Sequence, residues 1–268
     1  MALEISSKII DRIGSKLKTY QAAALSLQTK GVSEADTVTL VKDILSDCFG
    51  FGKYHELTSE QQIRGRYCDL AVKIGNRIQY LIEVKAAGVA LNASHMREIV
   101  TYGANEGIEW VVLTNAVEWQ LHRIKFAQPI DHELVTSFNF STVSTKNEDD
   151  VKKMFLLCRE GNTLNAMYEF HQHTQILNQY TIAQILQMES IIGAIRKEFN
   201  KLFPDIKIDN QHIADFLKND VLKREVIEGD KAKEMQQKLK RIMTKMVKQL
   251  VQKSEVTEQE KVDSDASK

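Results

Sequence analysis

Proline, cysteine and net charge are all scarce in this chain of 268 residues. The two prolines, Pro129 and Pro204, both lie beyond residue 128, so long helices meet few forced stops. The three cysteines, Cys48, Cys68 and Cys158, are far apart and form no C-x-x-C pair. That argues against a disulfide framework and a cysteine-rich zinc site, and it predicts a reducing, cytoplasmic setting. Thirty-six basic residues balance thirty-six acidic ones, so overall charge selects no nucleic-acid, membrane or acidic partner. The opening MALEISSKIIDRIG has no uninterrupted apolar run of the signal-peptide kind. No segment has the length needed to span a bilayer, and no membrane partner is expected. There is also no G-x-x-x-x-G-K-[ST] loop: Gly52-Lys53 is followed by Tyr54, and position 47 is aspartate. ATP-driven translocation by this chain is excluded.

With 43% apolar residues the chain can bury a sizeable core, which excludes wholesale disorder. Ile9, Ile10, Ile13 and Leu17 recur at helical spacing and predict a helix over 3–30. Ser33 then reads as the N-cap of a helix reaching about Cys48, with Val38, Val41, Ile44, Leu45 and Phe49 buried. Strands are predicted around 54–58, 67–74, 77–86, 110–113, 117–122 and 133–140, with a helix over 93–105. Trp110 and Trp119 sit on strand core faces. Beyond the polar segment 146–150 the pattern is helical, over 151–159, 164–173, 181–203, 212–224 and 231–252. The expected organisation is an N-terminal helix (1–30), an α/β domain (31–145), a mainly α-helical region (146–254) and a disordered acidic tail (255–268).

Strand parity singles out three charged residues. Asp69, Ala71 and Lys73 alternate with Leu70, Val72 and Ile74, while Glu83 and Lys85 alternate with Ile82 and Val84. In an antiparallel hairpin, a two-residue turn at Gly75-Asn76 places Ile74 opposite Arg77 and mixes charged with apolar residues on both faces. A three-residue loop through Arg77 places Ile74 opposite Ile78 and aligns Leu70, Val72 and Ile74 with Ile82, Tyr80 and Ile78 as one core face. Burial fixes register, because a one-residue slip inverts every side chain. The same register sets Asp69 opposite Glu83, with Lys85 two residues further along that face. Two facing carboxylates repel unless a cation offsets them. A divalent metal, Mg²⁺ or Mn²⁺, does so with hard oxygen ligands, and Lys85 adds to it. Metal-assisted phosphodiester hydrolysis uses all of these parts. The plainer alternative is a surface hairpin on which Lys85 forms an ordinary salt bridge.

Asp69, thirteen intervening residues and then Glu83-Val84-Lys85, after a helix that begins with Glu34, resemble the PD-(D/E)xK nuclease superfamily. The stretches SEADTVTLVKDIL (33–45), RYCDLAV (66–72), YLIEVKA (80–86) and GIEWVVLTN (107–115) are similar to the N-terminal nuclease domain of type I restriction enzyme R subunits and their stand-alone relatives. The resemblance covers about residues 31–126. It implies a restriction-endonuclease-like α-β-β-β-α-β core with a mixed sheet, and hydrolysis of DNA in restriction, defence or DNA processing. It implies that Asp69 and Glu83 hold the metal with the Val84 carbonyl as third ligand, that Lys85 is the catalytic lysine, and that Glu34 is the helix acid. Glu34 also reads as a first-turn carboxylate favoured by the helix dipole. Two positions depart from the pattern: Glu98 replaces the glutamine of a Gln-x-x-x-Tyr motif ending at Tyr102, and Thr114-Asn115-Ala116 replaces Thr-Asn-Gly. A second reading of the whole is a non-catalytic nucleic-acid-binding or assembly module that retains the nuclease fold.

Residues 231–253 hold eight Lys or Arg against one Glu. Leu239, Ile242, Met243, Met246, Val247, Leu250 and Val251 form an apolar stripe flanked by Lys238, Arg241, Lys245 and Lys248. The stripe predicts packing within the domain or on a second copy, and the basic flank predicts salt-sensitive phosphate contacts without base reading. His95 and Arg97, after the Glu83 strand, are further candidates for phosphate contact or a solvated helix start. Partners expected beyond DNA are restriction-system or other targeting subunits. His171 and His173 point to different sides of a helix and read as surface residues rather than a metal pair.

Overall fold

The computed structural model describes residues 4–63 and 66–244, with the side chains of 60–63, 66, 67 and 98 outside that description. The chain is α/β and divides into two compact units, Met1–His171 and Gln172–Lys268. The first unit begins with α1 (Ser7–Lys30) and α2 (Glu34–Asp47), followed by β1 (Leu57–Ile63), β2 (Arg66–Ile74) and β3 (Arg77–Val84). Next come α3 (Ala93–Asn105), β4 (Trp110–Thr114), β5 (Glu118–Lys125) and β6 (Asp131–Asn139), then α4 (Glu148–Leu156), α5 (Arg159–Thr163) and α6 (Ala166–Ile176). The six strands form one mixed sheet in sequence order, antiparallel throughout except for the parallel β3–β4 pair. A parallel pair needs a crossover, and α3 supplies it.

Both faces of the sheet are buried. On one face, Leu70, Val72, Tyr80, Ile82, Val112 and Trp119 join Ile13 and Leu17 of α1, Val41, Ile44 and Leu45 of α2, and Phe155 of α4 in one cluster. On the other, Ala71, Leu81, Val111 and Leu113 pack with Met96, Ile99, Val100 and Tyr102 of α3. Trp110 and Trp119 are core residues, 8% and 0% exposed. The α1 helix is tied in by Arg12, which donates to both carboxylate oxygens of Glu160 at 2.6 and 2.8 Å and to the Cys48 carbonyl at 3.0 Å.

The β2–β3 hairpin keeps the expected core register but reaches it by a different turn. Leu70 faces Ile82 and Val72 faces Tyr80. The turn itself has two residues, with Ile74 opposite Arg77, and a bulge between Val72 and Lys73 restores the phase. Gly75 takes φ +60°, the glycine-first geometry of a two-residue hairpin turn. The expected Ile74–Ile78 pair is therefore absent, and Ile78 packs on the α3 face, not on the face of Tyr80. A bulge adds one residue to one strand and locally inverts the alternation. It was hidden in the sequence because Ile78 is apolar and both faces are buried.

Other boundaries shift. The strand expected at 54–58 is a turn over 53–56, and β1 follows it. Among the helices of the second unit, the one expected over 181–203 is two, α7 (Gln179–Leu186) and α8 (Glu189–Leu202), broken at the extended Met188. The one expected over 212–224 is α9 (Asn210–Phe216), a π-helical turn (Leu217–Val221) and α10 (Arg224–Glu228). In this unit α7 packs against α8 and α10, and α8 against α9. Residues 230–244 are helical, with Ala232 buried but Ile242 and Met243 exposed. Lys245, Lys248 and the tail 255–268 lie outside the described residues.

The expected surface position of His171 is not observed. The residue is buried, with Nε2 2.5 Å from Glu133 Oε1 and Nδ1 3.1 Å from Arg123 Nη1. Its turn of α6 lies against the sheet, where β5 and β6 supply a polar partner on each side of the ring, so burial leaves neither nitrogen unsatisfied. Among the described residues, no helix is long and apolar enough to cross a membrane.

Candidate functional site

The site forms where two strands part. The β2–β3 ladder ends at Leu70–Ile82, yet β2 runs back to Arg66 and β3 runs on to Val84, held there from its other edge by β4. Asp69 fills the resulting notch: its Oδ2 accepts from the Val84 backbone N–H at 2.7 Å. The carboxylate so replaces a ladder acceptor and is fixed beside the end of β3. Parity puts Glu83 on the same face, as the sequence required.

Lys85 completes the group. Its Nζ lies 2.5 Å from Glu83 Oε1 and 3.6 Å from Glu34 Oε2. Glu34 occupies the first turn of α2, which Ser33 caps by accepting from Asp36 N. Two carboxylates therefore pair with one ammonium, the charge of Asp69 acts on it as well, and the protonation equilibria register the surplus. The Glu83 carboxyl is pushed up to about 7 by burial and then by the charge of Asp69, against the pull of Lys85, with Glu34 adding to the rise. Burial alone would lower the Lys85 ammonium, but the Glu83 hydrogen bond and the charges of Glu83, Glu34 and Asp69 outweigh it and raise its pKa. Lys85 stays charged, and Glu83 is poised near neutrality.

The donor set suits a hard divalent ion: two carboxylates close enough that the charge of Asp69 raises the proton affinity of Glu83, beside the Val84 backbone. Among the described residues no three His, Cys, Asp or Glu side chains gather as a metal cluster. An open set of two carboxylates plus water is the usual arrangement for Mg²⁺. Cys68, next to Asp69, is buried and its thiol is pushed up to about 12 by burial and by the charges of Asp69 and Glu83, so it is no nucleophile. Tyr102 of α3 hydrogen-bonds this thiol.

The segment after Lys85 is pinned from three sides. Lys85 N donates to Thr114 O at 2.8 Å, Ala87 N to Thr37 Oγ1 at 3.1 Å, and Asn115 Nδ2 to Val89 O at 2.9 Å. Asn115 also accepts from Val117 N and Glu118 N, closing the β4–β5 turn. Ala116 in that turn holds φ +68°, where a Cβ is strained. Replacing Ala116 by glycine relieves that strain, about 1–2 kcal/mol. The change also removes a methyl buried in the core and adds chain entropy, together about 1–2 kcal/mol. The urea midpoint is therefore expected to stay nearly unchanged.

The structure thus brings Glu34, Asp69, Glu83, Val84 and Lys85 together. Other sequence candidates lie elsewhere. His95 completes the capping box of α3 with Asn92, so its ring serves the helix start. Arg97 is exposed on α3, and the backbone of Glu98 lies in the same helix. Lys238 and Arg241 are exposed on the 230–244 helix of the second unit. Thr37, which is buried, was not singled out by sequence, and the buried Asn115 entered there only as part of Thr114-Asn115-Ala116. The available signal for Thr37 was a hydroxyl among the apolar positions of α2. Comparison with protein-family models, curated proteins and solved structures finds no match.

Proposed function

We propose that the chain is a metal-dependent nuclease that hydrolyses phosphodiester bonds of DNA. The observation that carries this reading is the gathering of carboxylates at one ammonium: Glu83 lies 2.5 Å and Glu34 3.6 Å from Lys85 Nζ, and Asp69 is fixed beside them by the Val84 N–H. A fold gains nothing by gathering carboxylates in a buried notch unless a cation is to be held there. Asp69 and Glu83, with the Val84 carbonyl, would hold Mg²⁺ or Mn²⁺. Such an ion, when bound, supplies Lewis-acid polarisation of a phosphoryl oxygen and a water of lowered pKa.

The chain's own residues do the rest. Asp69 is oriented by the Val84 N–H, and Glu83 would hold a cation as the carboxylate, its proton going to solvent. Lys85 holds an ammonium between Glu83 and Glu34, where it can donate to a non-bridging phosphate oxygen and offset the charge that builds there during attack. The order α2-β1-β2-β3-α3-β4 and the mixed sheet support a restriction-endonuclease-like core, and with it the resemblance to type I restriction R-subunit nuclease domains. Lys238 and Arg241 offer sequence-independent phosphate contacts.

The test is plasmid cleavage by wild type and Asp69→Asn in Mg²⁺ and in EDTA. Cleavage by wild type in Mg²⁺ alone, at least ~10²-fold above the variant, is expected. Salt-sensitive DNA binding by both proteins with no cleavage by either would favour the binding-module reading instead.

A further inference from the structure

Thr37 is wholly buried in a helix face otherwise made of Leu40, Val41, Ile44 and Leu45. Its hydroxyl is satisfied twice: it donates to the Ser33 carbonyl at 3.1 Å and accepts from the Ala87 N–H at 3.1 Å. Ser33 is the N-cap immediately before Glu34, and Ala87 lies two residues after Lys85 and is itself fully buried. One oxygen therefore joins the two backbone segments that carry Glu34 and Lys85.

We infer that Thr37 is a positioning residue, which fixes the loop bearing Lys85 against the first turn of α2 and so sets the Glu34–Lys85 separation. The physical basis is the lack of any alternative at this place. The Ala87 N–H is buried beyond the end of β3, and its bond to Thr37 is the one that anchors it. Removing the acceptor leaves a buried donor unpaired, which the backbone relieves by moving. Thr114 holds Lys85 N on the sheet side and Asn115 holds Val89 further along, so the loop is suspended between β4 and α2. Without Thr37 the α2 anchor is gone, while Glu34 stays with its helix. The inference rests on the nuclease reading for its effect on rate, but not for its effect on the loop.

Two substitutions separate the hydroxyl from the bulk. Thr37→Val keeps the shape and removes the hydroxyl, whereas Thr37→Ser keeps the hydroxyl and removes a buried methyl. Amide hydrogen exchange, which needs no activity, is expected to accelerate by about tenfold or more at both Lys85 and Ala87 in Thr37→Val, and to stay within about threefold of wild type in Thr37→Ser. Metal-dependent DNA cleavage is expected to follow: kcat lower by about ten- to a hundredfold in Thr37→Val, with KM for DNA unchanged and activity restored in Thr37→Ser. Faster exchange at Ala87 alone, or equal losses in the two variants, would overturn the positioning role. The expected exchange pattern in a wild type that does not cleave DNA would uphold the coupling of the loop to α2 and refute the nuclease reading.

Discussion

Glu83→Gln is expected to make the protein more stable above neutral pH while removing its chemistry. In the folded protein the Glu83 carboxyl titrates near 7, against 4.5 for an ordinary glutamate. Between those values the folded state holds a proton that the unfolded state has lost, so stability falls as pH rises through the window and stays lower above it. At ~1.4 kcal/mol per tenfold, the full difference is about 3 kcal/mol. The side chain is only 12% exposed, so solvent screening removes little of this. Glutamine cannot ionise. The variant should therefore exceed wild type by about 2–3 kcal/mol near pH 8 and match it below about pH 4, as read from urea unfolding at each pH. Mg²⁺ should return much of that stability to wild type at the higher pH and leave Glu83→Gln unchanged, because ions that bind only the folded state stabilise it by mass action. Parallel stability curves for the two proteins would mean that Glu83 carries no such burden.

Lys85→Ala is expected to have the largest effect on rate. Among the described residues Lys85 is the one ammonium paired with both Glu83 and Glu34, and its removal leaves their carboxylates beside Asp69 without a counter-charge from it. Loss of a charge-stabilising donor at a phosphoryl centre costs on the order of 10²–10⁴ in rate. The same change removes the influence that holds Glu83 down, so the Glu83 carboxyl should titrate above its wild-type value. Stability of Lys85→Ala should then fall more steeply than wild type as pH rises, yet stay close to it near pH 5, where Glu83 is protonated in both proteins. A folded, inactive variant at mildly acidic pH separates a catalytic loss from a failure to fold.

How much of this was legible in the sequence differs from element to element. The pairings Leu70–Ile82 and Val72–Tyr80 were, because apolar residues two apart on both strands leave one register that buries them. From that register followed the meeting of Asp69, Glu83 and Lys85. The bulge near Ile78 was not legible, since a sheet buried on both faces accepts an isoleucine on either side. Nor was the end of the β2–β3 ladder at Leu70–Ile82, where the Asp69 side chain, and not a backbone carbonyl, meets the Val84 N–H. Thr37 escaped because a lone threonine in a helix is ordinary until its hydroxyl is seen to meet Ala87, fifty residues away. His171 was misplaced for the same reason: helix spacing describes its neighbours on α6, while burial was decided by Glu133 and Arg123 on the sheet. The breaks at Met188 and after Phe216 carry no proline or glycine, so an unbroken apolar period concealed them.

The most direct test of the account is cleavage of plasmid and single-stranded DNA by wild type and Lys85→Ala, each with Mg²⁺, with Mn²⁺ and with EDTA. The account predicts metal-dependent cutting by wild type that EDTA abolishes and that Lys85→Ala lacks, although the variant folds and still binds DNA in low salt. Equal cutting by the two proteins, or cutting that survives EDTA, would contradict it and would place the chemistry away from the split between β2 and β3.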